Sequence, residues 1–477
     1  MVAVASAAGG LTADEVVPLA EGLDLISADA ARAAAGNAAA TTSFVQATTE
    51  SAFSPNAFAV SLADHNQFYL NNVFAGGYNL GQVFAWDASI GDSLVSVKGH
   101  TGVYSVDGND RPVEFASAAF AARAFFWFSF RGAPHRHFVS ALALATTVEV
   151  YGPNPTVNAD GTSPDTPVAT FSLGPLQTQT FQTFANGEYY LRATQPVVLT
   201  TTNADLAQDQ RTVAPLSTSG VLIGHTPGTG SGEGYISALY PNTTITAYAQ
   251  NGELRTATAS PGAPAALKAD FGFGDDTDYL PSGFIIFRAD GPIAGFVGAD
   301  SAGTNATTFY PAELGSYVVG IPMRLRGNQN SDVNIALAST FEGTARIYGP
   351  DGVLRKQLDL VRGGTLNSGV NTTIADQLHP AAARWAADEA DFTADILRGS
   401  YIKADVPLYP VANLYDDGGG TDGDTATVGS HNYANDDETT LAGITPDGLR
   451  VQLREDDTGL LWRQRIDNAG LVQWVRA

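Results

Sequence analysis

Hydrophobic and polar residues alternate in short runs along most of this chain, the period-two pattern of half-buried β-strands. Three runs share a shape: TVEVYGPNP, ITAYAQNGEL and ARIYGPDGVL. Each ends at a tyrosine (Tyr151, Tyr248, Tyr348) and meets a turn signal within four residues: Pro153-Asn154, Asn251-Gly252 and Asp351-Gly352. Asn-Gly and Asp-Gly supply the positive φ that a tight hairpin needs. Second strands, ELRTATA and VLRKQLDL, then leave the turn. The pattern predicts β-hairpins.

A second landmark recurs downstream, basic-Ala-x-x-Pro: Arg192-Ala193 to Pro196, Arg288-Ala289 to Pro292, and Lys403-Ala404 to Pro407. A fainter version begins at Tyr104. Proline lacks an N–H, so it belongs at an edge or a strand start. The basic residue and the proline are expected to serve a strand crossing; a ligand role for the basic residue is the alternative. The landmarks lie 41, 40 and 55 residues apart, and the whole repeats about every 100 residues, which is domain size. About seven short strands per copy, with turns between, is the β-sandwich signature.

The expected layout has six parts. Residues 1–50 form an Ala-rich, partly helical arm, with Thr12 and Ser27 as caps. Residues 51–132 form a divergent β-unit that includes AAFAARAFFWFSFRG. Residues 133–230, 231–325 and 326–420 form three clearer sandwiches, the last with an inserted helix, HPAAARWAADEADFTADILRG. Residues 421–477 hold a linker and a small C-terminal β-meander with DDTG and DNAG turns. HTPGTGSGEG (225–234) reads as a linker or loop. The fold class expected is mainly β: tandem antiparallel Ig-like β-sandwiches.

Composition narrows the function. A formal net charge of -24 repels phosphate backbones and anionic lipid, so neither nucleic-acid binding nor membrane insertion is expected. The chain has no Cys, which excludes disulfides and thiolate sites. The first basic residue is Arg32, and neither a signal peptide nor a membrane span is read at the N-terminus.

Candidate chemistry is sparse. Asp416, Asp417, Asp422 and Asp424 in DDGGGTDGD offer hard oxygen ligands on a pliable backbone, suited to Ca²⁺; a flexible acidic linker is the competing reading. Asp275, Asp276 and Asp278 are a second acidic cluster. His135 and His137 alternate on a predicted strand and can begin a metal site, but no further ligand is placed to complete it. FFWFSF (125–130) can stack on sugars, with a buried strand at a domain junction as the default. Asn242, Asn305 and Asn371 sit in glycosylation triplets without an assigned role. No P-loop, G-x-S-x-G, H-E-x-x-H or dinucleotide fingerprint is present, and no cofactor is expected beyond Ca²⁺.

The paired landmarks over residues 130–420 resemble the tandem Ig-like units of bacterial surface proteins and of structural proteins of tailed phages. The resemblance implies a non-enzymatic virion component (tail, fibre or head decoration). Its partners would be its own copies, other virion proteins and a host-surface glycan. A bacterial cell-surface or S-layer-like adhesin binding glycans or Ca²⁺ is the first alternative, and a tailspike-type carbohydrate-active enzyme the second.

Overall fold

A computed structural model describes most of residues 42–413 and four short strands beyond. Segments 202–210, 227–232, 274–282, 299–308, 322–332, 363–377 and 388–399 are the longer stretches outside the description. The protein is mainly β, its strands antiparallel, with no α-helix among the described residues.

Pairing sorts the strands into four successive units. The first holds β1 (Thr42–Ala47), β2 (Asn56–Ser61), β3 (Asn66–Leu70), β4 (Val73–Tyr78), β5 (Val83–Asp87), β6 (Ser93–Val97), β7 (Thr101–Val106), β8 (Pro112–Val113) and β9 (Phe115–Ser117). The second holds β10 (Ala122–Ser129), β11 (His135–Ala141), β12 (Thr146–Tyr151), β13 (Ala169–Leu173), β14 (Thr178–Thr183), β15 (Gly187–Thr201) and β16 (Arg211–Thr212). The third holds β17 (Val221–Thr226), β18 (Glu233–Ala238), β19 (Thr243–Ala249), β20 (Leu254–Ala259), β21 (Ala265–Ala266), β22 (Gly283–Ala289), β23 (Ile293–Gly298) and β24 (Tyr310–Pro311). The fourth holds β25 (Ser316–Ile321), β26 (Val333–Ser339), β27 (Gly343–Tyr348), β28 (Leu354–Arg362), β29 (Ala381–Ala387), β30 (Ser400–Asn413) and β31 (Glu438–Thr440). A separate meander of β32 (Leu453–Glu455), β33 (Leu461–Ile466) and β34 (Val472–Arg476) pairs as expected for the C-terminus.

The pairing scheme is the same each time. The first strand of a unit pairs with the sixth, which pairs with the third, which pairs with the fourth: β1–β6–β3–β4 and β17–β22–β19–β20. The second strand pairs with the fifth and the seventh: β5–β2–β7 and β21–β18–β23. In the second and fourth units the sixth and seventh strands are one: β15 and β30 each run through both groups. The registers agree residue by residue. Arg192 faces Ala124 and Glu149, Arg288 faces Val221 and Thr246, and Lys403 faces Val318 and Arg346. Basic-Ala-x-x-Pro therefore marks where the chain changes partners. A missing N–H costs least there.

Three sequence expectations shift. The strand in AAFAARAFFWFSFRG opens the second unit instead of closing the first, because β10 pairs with β15. HTPGTGSGEG, read as a linker or loop, joins β17 to β18 within the third unit, so the boundary expected at 230/231 moves ahead of β17. The helix expected from His379 is the strand β29 over Ala381–Ala387, zipped to β26 from Val333↔Ala387 to Ser339↔Ala381. Alanine's helix propensity is a fraction of a kcal/mol per residue, and a full ladder overrides it. Of the expected arm, Thr42–Ala47 is strand β1, while residues 1–41 lie outside the description.

The first, second and third units each have a core between their two groups of strands. In the third, Ile245, Ala247, Ile285 and Phe287 meet Ile236, Ala238 and Ile293. The opposite face of the first group is covered too. Phe126, Tyr151 and Tyr190 pack on Leu239 and Ala294 of the third unit. Tyr248, Phe284 and Ile286 pack on Ala338, Ala382 and Tyr409 of the fourth. Tyr348 and Tyr401 pack on Val60, Leu80 and Val83 of the first. β9 of the first unit contacts β15 and β16 of the second. The four units thus meet in a closed circuit. Phe120 and Ala214, from the segments that join the first three units, share one cluster with Tyr310 of β24.

Candidate functional site

The landmark tyrosines are joints. β15 shows why: its odd residues Tyr189, Leu191 and Ala193 face its own core, and Glu188 and Tyr190 face the third unit. Burial ends at Arg192 and Thr194, which are exposed. Tyr151 and Tyr190 stack with ring centroids 6.2 Å apart, and burial pushes both phenols up to about 12. In the fourth unit Tyr348 and Tyr401 stack at 5.2 Å, with Lys403 Nζ 5.3 Å from the Tyr401 centroid. In that unit the recurring cation lies over the recurring tyrosine, a contact contributing about 0.5–1 kcal/mol at an exposed site.

Where β15 emerges, a groove of about 860 Å³ opens between the second and third units. Arg123, Arg192, Glu149, Asp160, Glu313 and Tyr240 carry its polar character. Arg123 sits at a bulge, between the pairs Ala122↔Val197 and Ala124↔Arg192, which re-aims its side chain. The carboxylates are already engaged by neutral donors. Glu149 accepts from the Tyr151 hydroxyl at 2.8 Å. Asp160 accepts from the Thr162 hydroxyl and N–H at 2.6 and 2.9 Å, which hold its carboxyl below the usual range. Glu313 accepts from the N–H groups of Thr218 and Ser219 and from the hydroxyls of Ser217, Thr218 and Ser219. The guanidiniums are less satisfied. Arg123 Nη2 reaches Gln195 Oε1 at 3.3 Å, while its buried Nε lacks a hydrogen-bond partner among the described residues.

Glu188, four residues upstream on the same face, is sealed between the units. The Gly262 N–H donates to its Oε2 at 2.6 Å, and the Ser237 hydroxyl is beside it. Oε1 is buried without a partner among the described residues. Asn154 bonds the Glu188 backbone in both directions, and Phe128 is its cross-strand partner. Burial without a cation pushes the carboxyl up to about 7.

The sequence-derived candidates fare unevenly. Asp416, Asp417, Asp422 and Asp424, with Asp275, Asp276 and Asp278, lie outside the described residues, as do Asn305 and Asn371. Among the described residues no group of three or more His, Asp or Glu could hold a metal ion. His135 and His137 share a face as alternation requires, their rings 6.5 Å apart, but both are buried and His137 Nε2 bonds the Thr183 hydroxyl at 2.8 Å. FFWFSF is the buried junction strand: Phe126 packs toward the third unit and Phe128 stacks on its Tyr235 at 3.9 Å. Of the recurring basic-Ala-x-x-Pro residues, Arg192, Ala193 and Pro292 line the groove. Glu149 lies in the first landmark run, while Arg123, Asp160, Glu313 and Tyr240 belong to neither landmark.

The fold defines a mainly β protein of antiparallel sheets. In comparison with known proteins, no family model matches this chain and no curated protein matches it in sequence.

Proposed function

We propose that this is a non-enzymatic structural protein whose four units are Ig-like sandwiches, and that it serves as a homo-oligomeric building block of a virus particle of the tailed-phage type. The carrying observation is the use of the recurring residues. Tyr151, Tyr190, Tyr248, Tyr348 and Tyr401 join one unit to the next. Repetition spent on packing is the economy of a scaffold. The acidic surface suits a component that must stay soluble before it assembles. Its partners would be its own copies and other virion proteins, held by many modest contacts acting together.

Sedimentation of the full chain, followed by electron cryomicroscopy, tests this. The expected result is a closed symmetric oligomer. A monomer persisting at about 100 µM, where even contacts of micromolar Kd saturate, overturns the assembly reading.

A further inference from the structure

We propose that the outer edge of the first unit, strand β4, pairs antiparallel with the β4 of a second copy of this chain, joining two sheets across a two-fold axis. The inference rests on the homo-oligomeric reading above and names one of its contacts. Three observations carry it. First, the edge is open and apolar. β4 (VFAGGY) pairs with β3 and with no other strand among the described residues, so one row of its backbone N–H and C=O groups has no strand partner there. Val73 is 69% exposed and Phe74 56%, and the Phe74 ring centroid lies 5.5 Å from that of Tyr69. Such an edge is a template for a further strand unless charge, proline or cover blocks it. The fourth strands of the other units are charged or polar: β20 carries Arg255, β28 carries Arg355 and Lys356, and β13 exposes Thr170 and Ser172.

Second, charge selects the occupant. Two copies of a chain of net charge -24 repel each other over most of their surface. The five strands of this sheet, β1, β3, β4, β6 and β9, contain no Asp, Glu, Lys or Arg. The corresponding group in each other unit holds arginines: Arg123 and Arg192, Arg255 and Arg288, Arg346 and Arg355. At the turn before β4, Asn71 Nδ2 donates to Asp92 Oδ1 at 2.8 Å. The uncharged sheet is where a second copy approaches with least repulsion. Third, the strand complements itself. An isologous contact makes each pairing twice. With the axis between Ala75 and Gly76, Phe74 faces the partner's Gly77. A Cβ on Gly77 would meet only the Asn66 carbonyl oxygen, at 3.9 Å, among the described residues, so an incoming ring has room to cover it. The register shift that leaves Ala75 without a partner on β3 adds twist, and a second copy carries the same twist.

Sedimentation velocity of the full chain up to about 100 µM, with hydrogen exchange on β4, tests the contact. The wild-type chain is expected to associate, and the β4 amides to gain protection as concentration rises. Association should strengthen with salt, which screens the net repulsion and leaves an apolar contact intact. Phe74→Glu brings a charge into each half of the pairing and is expected to weaken association about tenfold or more. Leu254→Glu makes the same charge change at a residue of β20 that is 50% exposed, and should leave association unchanged. Phe74 is exposed, so folding should be retained; a melting curve checks this, and where it is lowered the wild-type protection of β4 decides alone. A wild-type chain that stays monomeric overturns this contact together with the assembly reading. A chain that assembles with β4 unprotected, or equally well as the Phe74→Glu variant, overturns the contact and leaves the assembly reading standing. Equal weakening by Leu254→Glu, or weakening by salt, overturns the contact as well.

Discussion

Glu188→Gln is expected to stabilise the protein at pH 8 and to leave it little changed at pH 4. The native carboxyl, sealed against Ser237 and Gly262, titrates near 7, while in the unfolded chain it titrates near 4.5. Below pH 4.5 both states bind the proton, and the native state keeps its full advantage. As pH rises from 4.5 to about 7 the unfolded chain releases the proton and the native protein does not. Each pH unit in that window lowers stability by about 1.4 kcal/mol, for a total near 3 kcal/mol as an upper figure. Above 7 both states are ionised and the loss levels off. Glutamine keeps the shape without the charge, so urea melts of the variant should lose this portion of the pH dependence. A wild-type slope unchanged in the variant between pH 5 and 7 would sink the argument.

The second large effect concerns Phe309, whose fully buried ring lies between the two groups of strands of the third unit. A Cβ built on Gly224 would stand 1.7 Å from its Cδ1, and one on Gly295 2.4 Å from its Cδ2. Two glycines therefore make the notch that the ring fills. Phe309→Ala should cost about 3–5 kcal/mol, the range for emptying an aromatic site. Gly224→Ala should cost about 1–3 kcal/mol or more, because a methyl cannot enter beside the ring. Together they should cost less than the two alone, since the vacated ring space receives the methyl. A double-mutant cycle by chemical denaturation reads this coupling. Strict additivity would show that the notch is not shared.

Much of the local fold was legible because turn chemistry is local. Gly252 and Gly352 have φ of 89° and 76° where Asn-Gly and Asp-Gly promised them, and β19–β20 and β27–β28 are hairpins. The break at Pro292, between β22 and β23, followed from proline's missing N–H; at Pro196 and Pro407 the chain runs on as one strand, β15 and β30, where the same rule led to the expectation of a new strand. The Ala-rich stretch at 381–387 misled because its fate rests with β26, about fifty residues away. The tyrosines' role was hidden for a similar reason. A strand buried on both faces, such as β10 or β15, reads as an apolar run that does not name what covers its second face. The groove was less legible still. Arg123 reaches it through a bulge, and Tyr240 and Glu313 arrive from the third unit and the short turn Ala312–Leu314. Nothing in their spacing announces that meeting.

The circuit of four units has a consequence for how the protein comes apart. In a linear array the outermost repeats have one neighbour each and fray first. Here the contact of Tyr348 and Tyr401 with Val60 and Val83 gives the first and fourth units a second neighbour. No repeat is a free end. Thinning that patch, by Tyr401→Ala for example, should convert one melting transition into a staggered one that begins at the first and fourth units. Hydrogen exchange would show those strands losing protection while β15 and β22 keep theirs.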